Sequence, residues 1–386
     1  DVPPGRPPER AVQLFPRRFR ILRGRDALRK MLRFFFFLLS LHTADFRLHA
    51  DASKPGPLAS VTLDFRDIKD GARPAKNEDA SFLGRLFKAR HDEESKTAGR
   101  AVPIKVHLPE GEGHFPVIVI SHGAGGGVDT HAGQARHLAS HGYAVLCVEH
   151  IGSNLARLTK GFQFRKNLAE MTHDSEEVLA RPKDISFALD MAVRWNQAHP
   201  KLRGRLDLSR VGILGHSFGA YTAMMTCGMR PALDKLTPRI EPGKGLGPDL
   251  SDARIKCGVA LSPQGDHDGR FIRDSFRSLK VPLMGGSGTL DDQQDGSPAQ
   301  NRRDSFALWP KGDNAFVWIS DARHVDFTDS SGTDAKELPS PSRNAVQPVT
   351  KAATLLFLDQ HLKPDNQAKL TSEVLKTNRN GEVTNI

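Results

Sequence analysis

The chain has 386 residues, 38% of them hydrophobic and 26% charged, with a formal net charge of +10. This length suits one large α/β domain with extensions, and the composition is that of a chain that folds around a core. Nine Lys/Arg against three Asp/Glu in residues 1–30 carry +6 of the charge, and the chain has only two tyrosines, so no groove of interleaved basic and aromatic side chains, and no nucleic-acid partner, is expected.

In chain order, the first feature is the stretch MLRFFFFLLSL from Met31, followed by Leu48-His49-Ala50. A short basic end, about eight apolar residues and a small-residue site have the form of a secretory signal. The run is too short to span a bilayer. We read Met31 as the start of translation, 1–30 as an upstream extension and 31–50 as signal-like; the protein is then exported, to the periplasm or beyond the cell. The alternative is an amphipathic or membrane-anchoring N-terminus, with a cytoplasmic or membrane-associated protein.

Residues 51–98 form a second region. It holds one alternating strand, SVTLDFRD, and a charged surface insertion over 67–98. From 99 to 365 the pattern is that of an α/β domain. Strands are predicted at 101–107, 116–121, 143–149, 209–214, 256–262, 280–284 and 315–319. Several are near-continuous apolar runs (PVIVIS, YAVLCVE, RVGILG), as expected of strands buried on both faces of a parallel sheet. Ala132, Ala135, Leu138 and Ala139 have helical spacing and Gly142 ends their helix. Ile185, Ala188, Leu189 and Ala192 repeat the pattern, with Pro182 near the helix start. Helices also follow residue 217 and cover roughly 345–363. Strands alternating with helices predict a doubly wound, mostly parallel sheet flanked by helices. The segment 152–180, with Leu155, Leu158, Phe162 and Phe164, is expected to cap the site; an ordinary mobile loop is the alternative. Residues 366–386 are polar and read as a loose tail. Cys147, Cys227 and Cys257 lie in or beside apolar segments and read as buried hydrophobes.

Chemistry enters at Gly215-His216-Ser217-Phe218-Gly219. A strand, RVGILG, runs into this motif and a helix, AYTAMM, leaves it. That is the context of a nucleophile turn, in which the flanking glycines permit a tight strand-to-helix reversal and the serine stands at a helix N-terminus. A serine nucleophile needs a base and an acid, in the chain order serine, acid, histidine. Downstream lie His267, His324 and His361. His324 follows the last core strand and is the candidate base. Asp291, leaving the strand VPLM, is the candidate acid, with Asp292, Asp266 and Asp268 as competitors. The glycine-rich loop after PVIVIS offers Ala124 as one backbone oxyanion donor, and Phe218 offers the other.

Two rival motifs stand nearby. Gly123, Gly125 and Glu149 imitate a dinucleotide fingerprint, but its third glycine position holds Val128. His137 and His141, four apart on one helix, have metal-ligand spacing but no third partner, and read as surface histidines. No cofactor and no metal are expected.

The segments ISHGAGGG, LASHGYAVLCVEHIGSN, RPKDISFALD, VGILGHSFGAYTA and DARHVDF together resemble the α/β-hydrolase branch of predicted dienelactone hydrolases and platelet-activating-factor acetylhydrolase-like esterases, over roughly 99–363. The resemblance implies an α/β-hydrolase fold and carries serine, base and oxyanion roles onto Ser217, His324, Phe218 and Ala124. In two places the chain departs from the pattern. Dienelactone hydrolases use a cysteine where Ser217 stands. The acetylhydrolases place their acid just after the strand CGVALSPQ, where this chain has Ser262, which leaves Asp291 in the position used by related bacterial esterases. The expected activity is hydrolysis of a small or lipid-like ester by a Ser-His-Asp triad. A serine peptidase or amidase on the same fold and a non-catalytic secreted binding module are the alternatives. Nothing in the sequence sets an oligomeric state.

Overall fold

The computed structural model describes residues 52–75, 99–293, 296–329, 342–363 and 370–371 in full and the backbone of 381–385. These residues belong to one compact unit. The signal-like segment and the greater part of the charged insertion lie outside the described residues.

The strands are β1 (Ser60–Phe65), β2 (Lys69–Asp70), β3 (Arg100–Ala101), β4 (Ile104–Pro109), β5 (Phe115–Ser121), β6 (Ala144–Val148), β7 (Leu206–His216), β8 (Ile255–Leu261), β9 (Leu283–Leu290), β10 (Ala315–Arg323) and β11 (Gly381–Asn385). Nine of them form one sheet in the order β1-β4-β6-β5-β7-β8-β9-β10-β11, and β2 pairs with β3 apart from it. From β6 through β5, β7, β8 and β9 to β10 every pairing is parallel; β1, β4 and β11 join antiparallel at the edges. This is the doubly wound, mostly parallel architecture.

Every residue of β5 is buried, and its side chains divide by parity. Val117 and Val119 enter one apolar cluster and Ile118 and Ile120 the other, because successive side chains on a strand point to opposite faces. Helices cover both faces. They are α1 (Ala132–Ser140), α2 (Leu155–Thr159), α3 (Phe164–His173), α4 (Ser175–Ala198), α5 (Phe218–Thr226), α6 (Arg273–Phe276), α7 (Gln300–Asp304) and α8 (Arg343–Leu362). Apolar residues of α4 and α5 belong to the first cluster, those of α1 and α8 to the second.

Several boundaries differ from expectation. The strand expected at 101–107 is two pieces, β3 and β4, with Pro103 between them, which can donate no ladder hydrogen bond. The strand expected at 280–284 starts after Pro282 and runs on to Leu290. Pro182 lies inside α4 instead of near its start, because Asp174 caps the helix earlier by accepting from the Glu176 and Glu177 N–H groups. The tail expected to be loose contributes β11, which pairs with the open edge of β10 through its backbone. The segment 152–180 is helical, as α2, α3 and the start of α4, and Ala169, Thr172 and His173 of α3 line the cavity described next.

Candidate active site

β7 ends at His216 and α5 begins at Phe218, so one residue makes the whole reversal. Ser217 makes it with φ 56° and ψ −118°. A side chain in this left-handed region is strained, and such strain persists only where the surroundings impose it. Here they do. A Cβ on Gly215 would stand 1.9 Å from the Gly219 carbonyl oxygen, and one on Gly219 would stand 1.9 Å from that of Ser121. Backbone passes backbone at these two points, and only glycine fits. The Ser217 N–H donates to the Leu261 carbonyl at 2.9 Å, and the Gln264 amide donates to the Ser217 carbonyl at 3.0 Å, so the turn is held from both sides.

Ser217 Oγ lies 2.9 Å from His324 Nε2, and His324 Nδ1 lies 2.7 Å from Asp291 Oδ1. Asp291 accepts at Nδ1–H, so in the neutral ring Nε2 is the acceptor for the serine hydroxyl. Asp291 directly follows β9 and His324 directly follows β10, so neighbouring parallel strands present them at one edge. Asp291 is fully buried and accepts from the Ser287 hydroxyl at 2.8 Å on its other oxygen. Burial pushes its carboxyl upward, but Arg302 at 3.5 Å and His324 outweigh that and hold it below the ordinary aspartate value. His324 is anchored through its own carbonyl, which accepts from buried His216 Nε2 at 3.0 Å. Burial, then the neighbouring His324, holds His216 far below the usual histidine range, so it stays neutral beside His324.

The competing residues have other engagements. Asp292 accepts from the Ala299 N–H, Asp266 from Ser305 and Asp268 from Arg270. His267 sits by Asp266, and His361 lies in α8 against Phe357. Ser262 occupies the turn after β8 with φ 53° and is buried. Glu149 accepts from the Asn154 amide. His137, expected at the surface, is buried; it donates to the Ala52 carbonyl while His141 donates to that of Lys54, so the pair clamps the incoming chain.

The glycine loop lies against the serine. A Cβ on Gly123 would be 3.4 Å from the Ser217 Cβ, which sets Ala124 beside the turn. Phe218, as the first residue of α5, has an N–H with no intrahelical acceptor. A cavity of about 310 Å³ opens over Ser217, Phe218 and His324, with Lys235, Gln264 and Arg270 among its polar walls.

Sequence reasoning missed a second polar assembly beneath the loop. Arg181, Ser121, His150, Asp184 and Arg100 are buried and joined in a chain. Arg181 donates to Ser121 Oγ at 3.1 Å, Ser121 Oγ lies 2.9 Å from His150 Nε2, and His150 Nδ1 donates to Asp184 at 2.9 Å. Asp184 also takes Arg100 at 2.8 and 3.0 Å and Arg73 at 2.7 Å. Arg181 and Asp184 stand in RPKDISFALD, three apart on α4, and that pair of opposite charges was the available signal.

A family model described as platelet-activating factor acetylhydrolase, isoform II, matches residues 82–199. Among curated proteins, the platelet-activating factor acetylhydrolase of Cavia porcellus is 27% identical over 321 residues, 74% of this chain and 65% of that protein. That of Bos taurus is 22% identical over 295 residues, covering 66% and 59%, and that of Canis lupus familiaris 23% over 284 residues, covering 64% and 57%. The chain thus spans under two thirds of the length of each of these relatives. Sheet order and the strand-to-helix turn at Ser217 are those of an α/β-hydrolase fold, and within it the chain is similar to the platelet-activating factor acetylhydrolases.

Proposed function

We propose that the protein is a serine ester hydrolase acting on a small or lipid-like ester. The observation that carries this reading is the hydrogen-bonded line from Ser217 through His324 to Asp291, ending at a strained serine that opens into a cavity. Ser217 Oγ attacks the ester carbonyl as His324 Nε2 takes its proton. Asp291 keeps the ring in the tautomer that can do so and favours the imidazolium. The oxyanion receives hydrogen bonds from the Ala124 and Phe218 N–H groups, each worth roughly 3 kcal/mol in the transition state. His324 returns its proton to the departing alcohol. Water then enters, gives a proton to His324 and its oxygen to the acyl carbon, and the acid leaves as Ser217 recovers its hydrogen.

The cavity, at the small end of ligand sites, fits an ester with a compact group at the reacting centre. The relatives are named acetylhydrolases, and an acetyl group agrees with that size. The signal-like segment supports export. Among the described residues no helix is long and apolar enough to cross a membrane.

Fluorophosphonate labelling together with a panel of p-nitrophenyl esters and peptide anilides tests the reading. The native protein should label once, turn over short esters faster than anilides, and lose both properties in Ser217→Ala, with a rate loss of about 10⁶-fold. Faster anilide cleavage would make it a peptidase. Native protein that neither labels nor turns over would make it a binding module.

A further inference from the structure

Ala124 and Phe218 come from different elements, one from a glycine-rich loop and one from a helix start. No hydrogen bond of its own fixes the direction of the Ala124 N–H, which has no acceptor among the described residues. The Gly123 carbonyl does. It shares a planar trans peptide with the Ala124 N–H, so fixing one fixes the other in the opposite direction. The Gly123 carbonyl is fixed twice, by His122 Nδ1–H at 2.6 Å and by the Gly126 N–H at 3.1 Å. His122 is itself locked, because its Nε2 accepts from the His150 N–H at 3.0 Å. With one nitrogen donating and the other accepting, the ring is neutral and in a single tautomer. It is also fully buried.

Arg181 ties this ring to the other donor. Its guanidinium donates to the His122 carbonyl and, at 2.8 Å, to Thr222 of α5, and its Cζ lies over the Phe218 ring, 4.3 Å from the centroid. A further donation goes to Ser153 at 2.7 Å, whose carbonyl accepts from the Gly125 N–H. One fully buried planar cation therefore touches the residue before the glycine loop, the support of that loop, and both the ring and the helix of the second donor.

We propose that His122 and Arg181 are positioning residues of the reaction: His122 aims the Ala124 N–H through the Gly123 carbonyl, and Arg181 sets the spacing between that N–H and the N–H of Phe218. The inference rests on the esterase reading above and deepens it. Neither residue touches the substrate. Both act on a geometry that matters most when negative charge develops on the carbonyl oxygen, so their loss weakens the transition state more than substrate binding. Lysine cannot replace the arginine, because a point charge does not reproduce a fork that donates in several directions while stacking on a ring.

The test uses the full chain with His122→Asn and Arg181→Lys, each checked for folding by circular dichroism and titrated with a fluorophosphonate so that rates refer to active serines. For each variant kcat/KM should fall about 10²-fold while KM stays within about three-fold. A trifluoromethyl ketone, which forms an oxyanion on binding, should lose affinity by the same factor as kcat/KM. The matching methyl ketone, which occupies the cavity without forming one, should bind as before. Folded variants with native kcat/KM per titrated serine overturn the proposal, as does an equal loss for both ketones, which would mean that the cavity itself had changed. The two variants probe one assembly from different elements, so if one does not fold the other still decides. Absence of labelling in the native protein sinks the esterase reading as well, whereas normal labelling with unchanged kinetics in the variants sinks only the proposed positioning.

Discussion

Two lines of serine, histidine and aspartate run through this molecule, Ser217–His324–Asp291 and Ser121–His150–Asp184, with nearly the same hydrogen-bond lengths. Their surroundings differ. Ser121 lies on a regular strand, is fully buried, and already accepts from Arg181, so one of its lone pairs is engaged and it has no open space before it. Ser217 has a strained backbone, borders the cavity, and faces a histidine whose side chain is one-third exposed. Asp184 is held by two arginines as well as its histidine, Asp291 by one arginine at longer range. The same three side chains thus form an internal truss in one place and, in our reading, a reactive centre in the other. Strain, access and the competing donors make the difference.

Substitution of the two aspartates should separate these roles most sharply. Asp291→Asn should lower kcat about 10⁴-fold by stabilising the wrong tautomer of His324. Steady-state kinetics on a p-nitrophenyl ester, with the melting temperature as control, measures this; loss of fold in place of loss of rate would mean that the two lines are alike. Asp184→Asn should act on stability, costing about 3–5 kcal/mol, because it leaves the buried Arg100 and the half-buried Arg73 beside a neutral side chain. Urea unfolding reads this directly, and a change below about 1 kcal/mol would remove the truss from the account.

A third effect is a pH slope, small for each ring over any one pH unit. Burial holds His150 and His137 down to about 3 and His107 down to about 4, with nearby arginines and other cations adding to it. Below pH ~6.5 the unfolded chain protonates these rings and the folded chain does not. Their contribution is therefore complete above pH ~6.5 and is lost as pH falls toward those values, by up to about 1.4 kcal/mol per pH unit for each ring. Chemical unfolding between pH 7 and 5 should show this slope, and His137→Gln should flatten it. A stability independent of pH over that range would contradict it.

The central strands were legible because burial on both faces leaves almost no polar letter in β5 or β6. The meeting of Ser217, Asp291 and His324 was legible for a different reason: each directly follows a strand, and parallel strands bring their ends to one edge. β9 was read too short because LMGGSGTL carries little strand signal. Its glycines make room for a neighbour, since a Cβ on Gly285 would stand 2.6 Å from the Phe316 ring. Arg181 and His137 look like surface residues in a linear reading. They are buried because partners distant in sequence, Ser121 and Thr222 for one and Ala52 for the other, answer their hydrogen bonds. β11 is mostly polar and pairs through its backbone, which side-chain patterning does not report.

β8 stands between the strand that delivers Ser217 and the two that deliver Asp291 and His324. Its Leu261 carbonyl also holds the serine's own N–H. Ser217 and His324 therefore cannot meet until this strand has been inserted with correct register on both sides. During refolding, chemical reactivity of the serine would lag behind the recovery of helix, and would report that insertion more faithfully than any bulk spectroscopic signal.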